Sequence, residues 1–222
     1  MLGIIKKLSY RRNTWQVFND FVEVCALTIS NSVDKENWEE REKQYLEIIG
    51  RYNKKEVDLI SHMFAKLVIE LDECYVRGEL DDVLGRLFHA LGLHNKWKGQ
   101  FFTPPNIANM MAEMTVENCG EIIKEKGYMT IGEPACGSGV MVLGAANSLR
   151  NQGFNHQKHM VVTATDVDLK CVHMAYIQFS LYGIPAVVIH GDTLTMEEWS
   201  RWYTPMYVLN HLRGLSDSRR KN

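Results

Sequence analysis

The sequence predicts an α/β fold in two parts, a helical N-terminal domain over residues 1–95 and a shortened parallel-sheet domain over 96–222. Three observations predict it. Apolar residues recur at helical spacing from residue 13 to about 94. After about residue 98, short apolar strands alternate with longer helical segments. Three of those strands end in an acidic residue, and the first runs straight into a glycine turn, "IGEPACGSGV" at 131–140.

The helical part is read from its periodicity. "NTWQVFNDFVEVCALTISNS" places Trp15, Phe18, Val22, Cys25 and Ile29 on one face, as an amphipathic helix requires. "NWEEREKQYLEIIG" follows and is closed by Gly50. In "NKKEVDLISHMFAKLVIELDECY" the stripe is Val57, Ile60, Phe64, Leu67, Val68 and Leu71. "ELDDVLGRLFHALGL" completes the set with Leu80, Leu84, Leu87 and Leu91, and Gly78 and Gly92 punctuate its ends.

In the second part, "GQFFTPPNIANMMAEMTV" reads as a loop feeding a helix, with Thr103 as its cap and prolines suited to a first helical turn. Then come strand "YMTIGEP", helix "SGVMVLGAANSLRNQG", strand "HMVVTATDVD", helix "LKCVHMAYIQFSLYGI" and strand "AVVIHGD". This order implies a parallel sheet with right-handed crossovers. The loops after its strands share the carboxyl rim, where such sheets bind ligands.

Composition bounds the rest. Of the 222 residues, 25 are Lys or Arg and 27 are Asp or Glu, a net charge of −2. Composition therefore makes no electrostatic case for nucleic-acid binding. The basic clusters at the two ends (Lys6, Lys7, Arg11, Arg12 and Arg213, Arg219, Arg220, Lys221) read as solvated termini. Cysteines at 25, 74, 119, 136 and 171 form no CxxC pair, which suggests buried thiols in a reducing, cytoplasmic setting. The N-terminal apolar run is too short for a signal peptide, and no apolar stretch approaches the length that spans a membrane.

Glu133, Asp166 and Asp192 sit at the three strand ends. One such carboxylate is commonly a helix cap, and Asp168 is read that way for the helix beginning near Leu169. Three on one rim beside a glycine turn suit a nucleoside cofactor. A carboxylate can accept two ribose hydroxyls, and another can pair with an ammonium. Gly137 and Gly139 permit close backbone approach, and Ser138 opens the following helix. The turn is neither a Walker loop nor GxGxxG, so a pyrophosphate is disfavoured. S-adenosylmethionine, with its sulfonium and ammonium, fits three carboxylates.

"GQFFTPPNIANMMAEM", "EPACGSGVMV", "TDVDLKCVHMAYIQFSLYGI" and "GDTL" occur in an order that resembles the modification subunits of type I restriction systems and their N-6 adenine DNA methylase relatives, from about Leu80 to Leu194. The resemblance implies a shortened Rossmann-like, S-adenosylmethionine-dependent methyltransferase domain behind the helical one. It implies that Phe102, Thr103 and Pro104 hold the methionine end of the cofactor. Glu133 would face its ammonium. Ala135, Gly137, Ser138 and Gly139 would form the cofactor turn. Asp166 would take the ribose hydroxyls with Val167 against the adenine, and Asp192 and Thr193 would lie near the adenine edge. DNA is the partner it implies.

Such methylases carry an Asn/Asp-Pro-Pro-Tyr/Phe motif after a fourth strand. An exocyclic amine is a poor nucleophile, because its lone pair is delocalised into the ring. The amide or carboxylate and a backbone carbonyl accept its hydrogens, and the aromatic ring stacks on the flipped base. No such tetrapeptide occurs here. The nearest candidate is "TPMY", with Thr204, Pro205 and Tyr207 in register. Thr204 has no carboxamide, and the preceding "MEEWSRW" reads as a helix, so a C-terminal loop is the preferred reading.

Only three strands are legible, which leaves a sheet edge for a partner subunit or a second copy to cover. "HQKH", with His156 and His159, reads as a polar loop and not as a metal site. Met110, Met111, Met114 and Met141 read as core filler, and Lys96 and Lys98 as a solvated linker. Two functions remain open: an adenine-N6 DNA methyltransferase of a restriction-modification type system, or a catalytically inactive relative that binds the cofactor or DNA in a regulatory or assembly role.

Overall fold

The computed structural model describes residues 1–93, 103–117 and 119–211. Its elements run α1 (Leu2–Leu8), α2 (Thr14–Asn31), α3 (Trp38–Ile49), α4 (Lys54–Val76), α5 (Val83–Ala90), α6 (Pro105–Val116), α7 (Cys119–Lys126), β1 (Met129–Glu133), α8 (Val140–Asn151), α9 (His156–His159), β2 (Met160–Asp166), α10 (Leu169–Leu181), β3 (Ala186–Asp192) and β4 (Glu197–Tyr203).

Local chemistry sets several helix starts. Asn13 accepts from the Trp15 amide at the head of α2. Asn53 and Glu56 form a reciprocal capping box at the head of α4, satisfying two amides that have no partner inside the helix. Asp168 accepts from the Lys170 amide and caps α10, as its position suggested. The cap expected of Thr103 is not made: Pro104 occupies the N-cap of α6, with no side-chain cap bond. The N-terminal segment is also more ordered than a solvated terminus. It forms α1, which buries Ile5 and Leu8 while Lys6 and Lys7 stay exposed.

The sheet has four strands in the order β1-β2-β3-β4. β1, β2 and β3 pair in parallel, as the alternating pattern predicts. β4 is an addition. It lies antiparallel to β3, with Val188 opposite Trp202 and Asp192 opposite Glu197. "MEEWSRW" is thus strand and not helix. Its aromatic and apolar positions are too few for a helical stripe, but Trp202 seats fully against α10: its ring lies 5.5 Å from Tyr176 and 4.7 Å from His173.

Met160, Val162, Ala164, Ala186 and Val188 are all 0% exposed. They form one face of the sheet, onto which the crossover helices pack. α10 is buried along nearly its whole length, from Lys170 to Phe179, because it lies between the sheet and α2. The core is one continuous cluster that includes Phe18 and Phe21 of α2, Phe88 of α5 and Phe179 of α10. Burial of large side chains at roughly 1.5–3 kcal/mol each is the main stabilising term. The alternate sheet face is less covered, with Thr130, Gly132 and Thr163 exposed. Met110, Met111 and Met114 of α6 are 53%, 45% and 74% exposed. They are not core filler, because α6 packs on α8 through Ala108 and Ala112 instead.

Candidate cofactor-binding site

The three parallel strands bring Glu133, Asp166 and Asp192 to one rim. Residues 134–139 fold across the ends of β1 and β2. The Cys136 amide donates to the Thr165 carbonyl at 2.9 Å, and the Gly139 amide to the Cys136 carbonyl at 2.8 Å. Two left-handed glycines shape the turn, Gly137 at φ 54° and Gly139 at φ 99°. A side chain at Gly139 would also collide with Phe179, whose ring carbons lie 2.5 and 2.7 Å from the Cβ position. Gly139 is the N-cap of α8, so the positive end of that helix faces the rim.

Asp166 ties the strand end to the turn. Its Oδ2 accepts from the Gly137 amide at 2.8 Å and its Oδ1 from the Asp168 amide at 2.9 Å. Burial raises its pKa above the ordinary carboxylate value, with those two amides opposing the rise. Each oxygen retains a second lone pair for a ribose hydroxyl. Val167 beside it is 59% exposed, an open apolar surface at the rim. Glu133 Oε1 accepts from the Ala135 amide at 3.1 Å. Thr193 Oγ1 donates to the Pro134 carbonyl at 2.7 Å and so joins the loop after β3 to the turn after β1. Asp192 Oδ1 accepts from the Leu194 amide at 2.8 Å and shapes its own loop. Thr103 is half-buried and Pro104 exposed just ahead of α6. Phe102 lies outside the described residues, as do Lys96 and Lys98.

Ser138 sits differently from its expectation. It is 1% exposed, and its hydroxyl points inward to Asp82 Oδ2 at 2.5 Å. It offers the rim its backbone only. Gln178 of α10 donates to the Ser138 carbonyl at 2.8 Å and to Asp82 Oδ1 at 2.9 Å. Its own carbonyl accepts from the Leu84 amide at 3.0 Å. Asn147 of α8 pairs with both backbone groups of Leu80, at 2.7 and 2.9 Å. Residues 80–85 are thereby held against the glycine turn. Residue type and spacing do not mark Asp82, Asn147 and Gln178 as site residues. The available signal was an amide side chain inside each of two otherwise apolar helices, "VLGAANSL" and "MAYIQFSL".

The other candidates lie elsewhere. β4 runs antiparallel to β3, so "TPMY" sits at the amino end of β3, opposite the rim. Thr204 is 0% exposed. Its hydroxyl accepts from the Ala186 amide at 2.9 Å and donates to the Ile184 carbonyl at 2.8 Å. Pro205 begins the helical residues 205–211, and the Tyr207 ring stacks on Tyr203 at 5.7 Å. Thr204, Pro205 and Tyr207 do not face the turn. "HQKH" is the short helix α9. His156 is buried with Nε2 3.0 Å from the Tyr182 carbonyl, and His159 Nδ1 lies 3.0 Å from the Gly127 carbonyl. No group of three metal-ligating side chains converges among the described residues. All five cysteines are free and buried.

The donor set fits S-adenosylmethionine. The left-handed turn through Gly137 and Gly139 lies beside Glu133 and Asp166, with Asp192 on the same rim. No curated protein sequence matches the chain. Among solved structures, a protein of Listeria monocytogenes assigned to the class I S-adenosylmethionine-dependent methyltransferases matches with a TM-score of 0.41 and 19% identity, over 82% of this chain and 55% of that one. The chain thus spans about half the length of that relative. The family model for the N-6 DNA methylases matches residues 81–210, more than half of the sequence. The chain belongs to the N-6 DNA methylase family.

Proposed function

We propose that this chain binds S-adenosylmethionine at the carboxyl rim of β1–β3 and forms the cofactor half of an adenine-N6 DNA methyltransferase of a restriction-modification type system. The observation that carries the reading is the left-handed glycine turn hydrogen-bonded to Asp166, with Glu133 and Asp192 on the same rim. Gly137 lets the backbone approach the methionine portion, Gly139 lets the turn pack closely on Phe179, and Glu133 balances the ammonium. Asp166 accepts the ribose hydroxyls, Val167 lies against the adenine, and Asp192 and Thr193 border its edge. Phe102, Thr103 and Pro104 close the methionine side. When bound, the cofactor supplies an activated methyl group on a sulfonium. The residues named here orient that methyl and shield it from water.

The target side is expected from a partner subunit or a second copy that covers the free edge of β1 and carries the groups that direct an adenine N6 lone pair. Five buried thiols favour a cytoplasmic setting. No helix among the described residues is long and apolar enough to cross a membrane.

Calorimetric titration with S-adenosylmethionine tests the cofactor reading. Asp166→Ala should weaken binding by about tenfold to a hundredfold, the worth of a charge-assisted hydrogen bond. Gly137→Val should abolish it, because a β-branched residue resists a positive φ. No binding by the native chain would overturn the reading. Transfer of labelled methyl to DNA, assayed with the chain alone and with its neighbouring gene products, tests the activity.

A second reading has its own observation. Thr204 and Tyr207 stand at the wrong end of β3 for target chemistry. A non-catalytic member that binds the cofactor or DNA in a regulatory or assembly role would therefore show cofactor binding and no methyl transfer under any pairing.

A further inference from the structure

The Asp82 carboxylate is 5% exposed, and no described lysine or arginine pairs with it. Burying an unpaired carboxylate is among the costlier arrangements a fold can adopt, so its surroundings call for explanation. Three donors surround it: the Ser138 hydroxyl, the Gln178 amide at 2.9 Å and the Gly85 amide at 2.8 Å.

Room for it is made at a cost in helix propensity. Gly85 lies in the first turn of α5, with no positive φ to require a glycine. A Cβ there would stand 2.0 Å from Asp82 Oδ2. This glycine serves to admit the carboxylate.

The carboxylate in turn acts on one residue of the cofactor turn. Ser138 lies between Gly137 and Gly139 and is held at both ends, its hydroxyl by Asp82 and its carbonyl by Gln178. Two flanking glycines would otherwise leave that peptide free to rotate. Gln178 also accepts from the Leu84 amide, so α5, α10 and the turn meet in one closed network. Fully satisfied buried networks specify a single backbone arrangement.

We infer that Asp82, from the helical part of the chain, is a positioning residue for the cofactor turn: through Ser138 and Gln178 it holds Gly137–Gly139 in the shape that receives S-adenosylmethionine. This rests on the proposed cofactor site but is tested separately from it. In the cofactor-free protein, hydrogen exchange across residues 136–139 reports the turn directly.

Asp82→Ala should speed exchange there while α2 and α4 keep native protection. It should also weaken S-adenosylmethionine binding by about tenfold or more, as loss of one charge-assisted hydrogen bond would. Asp82→Asn retains an acceptor for Gly85 and Gln178 and a donor for the Ser138 oxygen, and should restore both readouts. Combining Asp82→Ala with Ser138→Ala should cost no more than either alone. A purely structural role would lower the melting temperature of Asp82→Ala yet leave turn exchange and affinity native well below it, and that result overturns the inference. If Asp82→Ala does not fold, Gly85→Ala displaces the same carboxylate and is judged by the same criteria. If the native protein binds no S-adenosylmethionine, the cofactor reading falls, and the exchange data alone decide whether Asp82 sets the turn.

Discussion

The two edges of the sheet are built in opposite ways. Beyond β3 the edge is sealed. β4 pairs antiparallel along it, Trp202 is 4% exposed, and the Arg41 guanidinium of α3 lies 4.2 Å from the Trp202 ring while donating to the Arg201 carbonyl at 2.8 Å. Arg41 is itself bound to Asp34 and Ser30. The Tyr176 hydroxyl reaches the Tyr203 carbonyl at 3.2 Å. At the other edge no strand pairs with the outer side of β1 among the described residues, and Thr130 and Gly132 are exposed. An open strand edge is a template for further pairing. Arg41 of α3 closes the side away from the strand that leads into the glycine turn. The bare side is β1, which leads directly into that turn.

Substitutions at the two edges should therefore differ in scale. Trp202→Ala should cost the most, about 3–5 kcal/mol, because it opens a cavity among Tyr176, His173 and Arg41; chemical denaturation measures it. Failure to destabilise would mean that β4 is not a structural part of the sheet.

Acidification should act on the same seam. Burial, with His190 and Arg41 nearby, pushes the His173 pKa down to about 3. In the range between that value and the ordinary imidazole value near 6.5, the unfolded chain binds the proton and the folded one does not. Stability is then full above about pH 6.5 and falls as pH drops below it, by at most about 1.4 kcal/mol per pH unit from this group. Asp82 and Asp166, whose pKa values burial raises, act in the opposite direction. The contribution of His173 is therefore isolated by comparing native protein with His173→Phe, which should lack that part of the acid slope.

Thr204→Val removes the hydroxyl that serves Ala186 and Ile184 and should cost about 1–3 kcal/mol through the unpaired amide. It should leave S-adenosylmethionine binding unchanged. A lost affinity with intact stability would return Thr204 to the site.

Thr130→Lys, at the bare edge, should alter the stability of the isolated chain by no more than about 0.5 kcal/mol. If a partner covers that edge, the same change should abolish its association in size-exclusion or sedimentation measurements.

Much of this arrangement is legible in sequence because it is local or strictly periodic. The three parallel strands follow from apolar runs of strand length set between helical segments. The turn follows from Gly137 and Gly139, and the α10 cap from Asp168. β4 was not legible. "EEWSRWY" has no alternation that selects a strand, and it becomes one only because β3 offers an edge and α10 with Arg41 offers a seat for Trp202. The exposure of Met110, Met111 and Met114 was hidden for a related reason: composition marks them as apolar, and only the packing of α6 on α8 decides which face is covered.

By itself the sequence determined the parallel β-α-β-α-β order, the rim carboxylates Glu133, Asp166 and Asp192, and the absence of an Asn-Pro-Pro-Tyr tetrapeptide, since each depends on residue type and spacing along the chain. Tertiary structure alone decided that Ser138 turns inward to Asp82, that Thr204 sits at the far end of β3, and that one sheet edge is sealed while the other has no paired strand among the described residues. Those outcomes join residues 56, 18 and more positions apart. They depend on which groups folding brings within hydrogen-bonding distance, which no local pattern encodes.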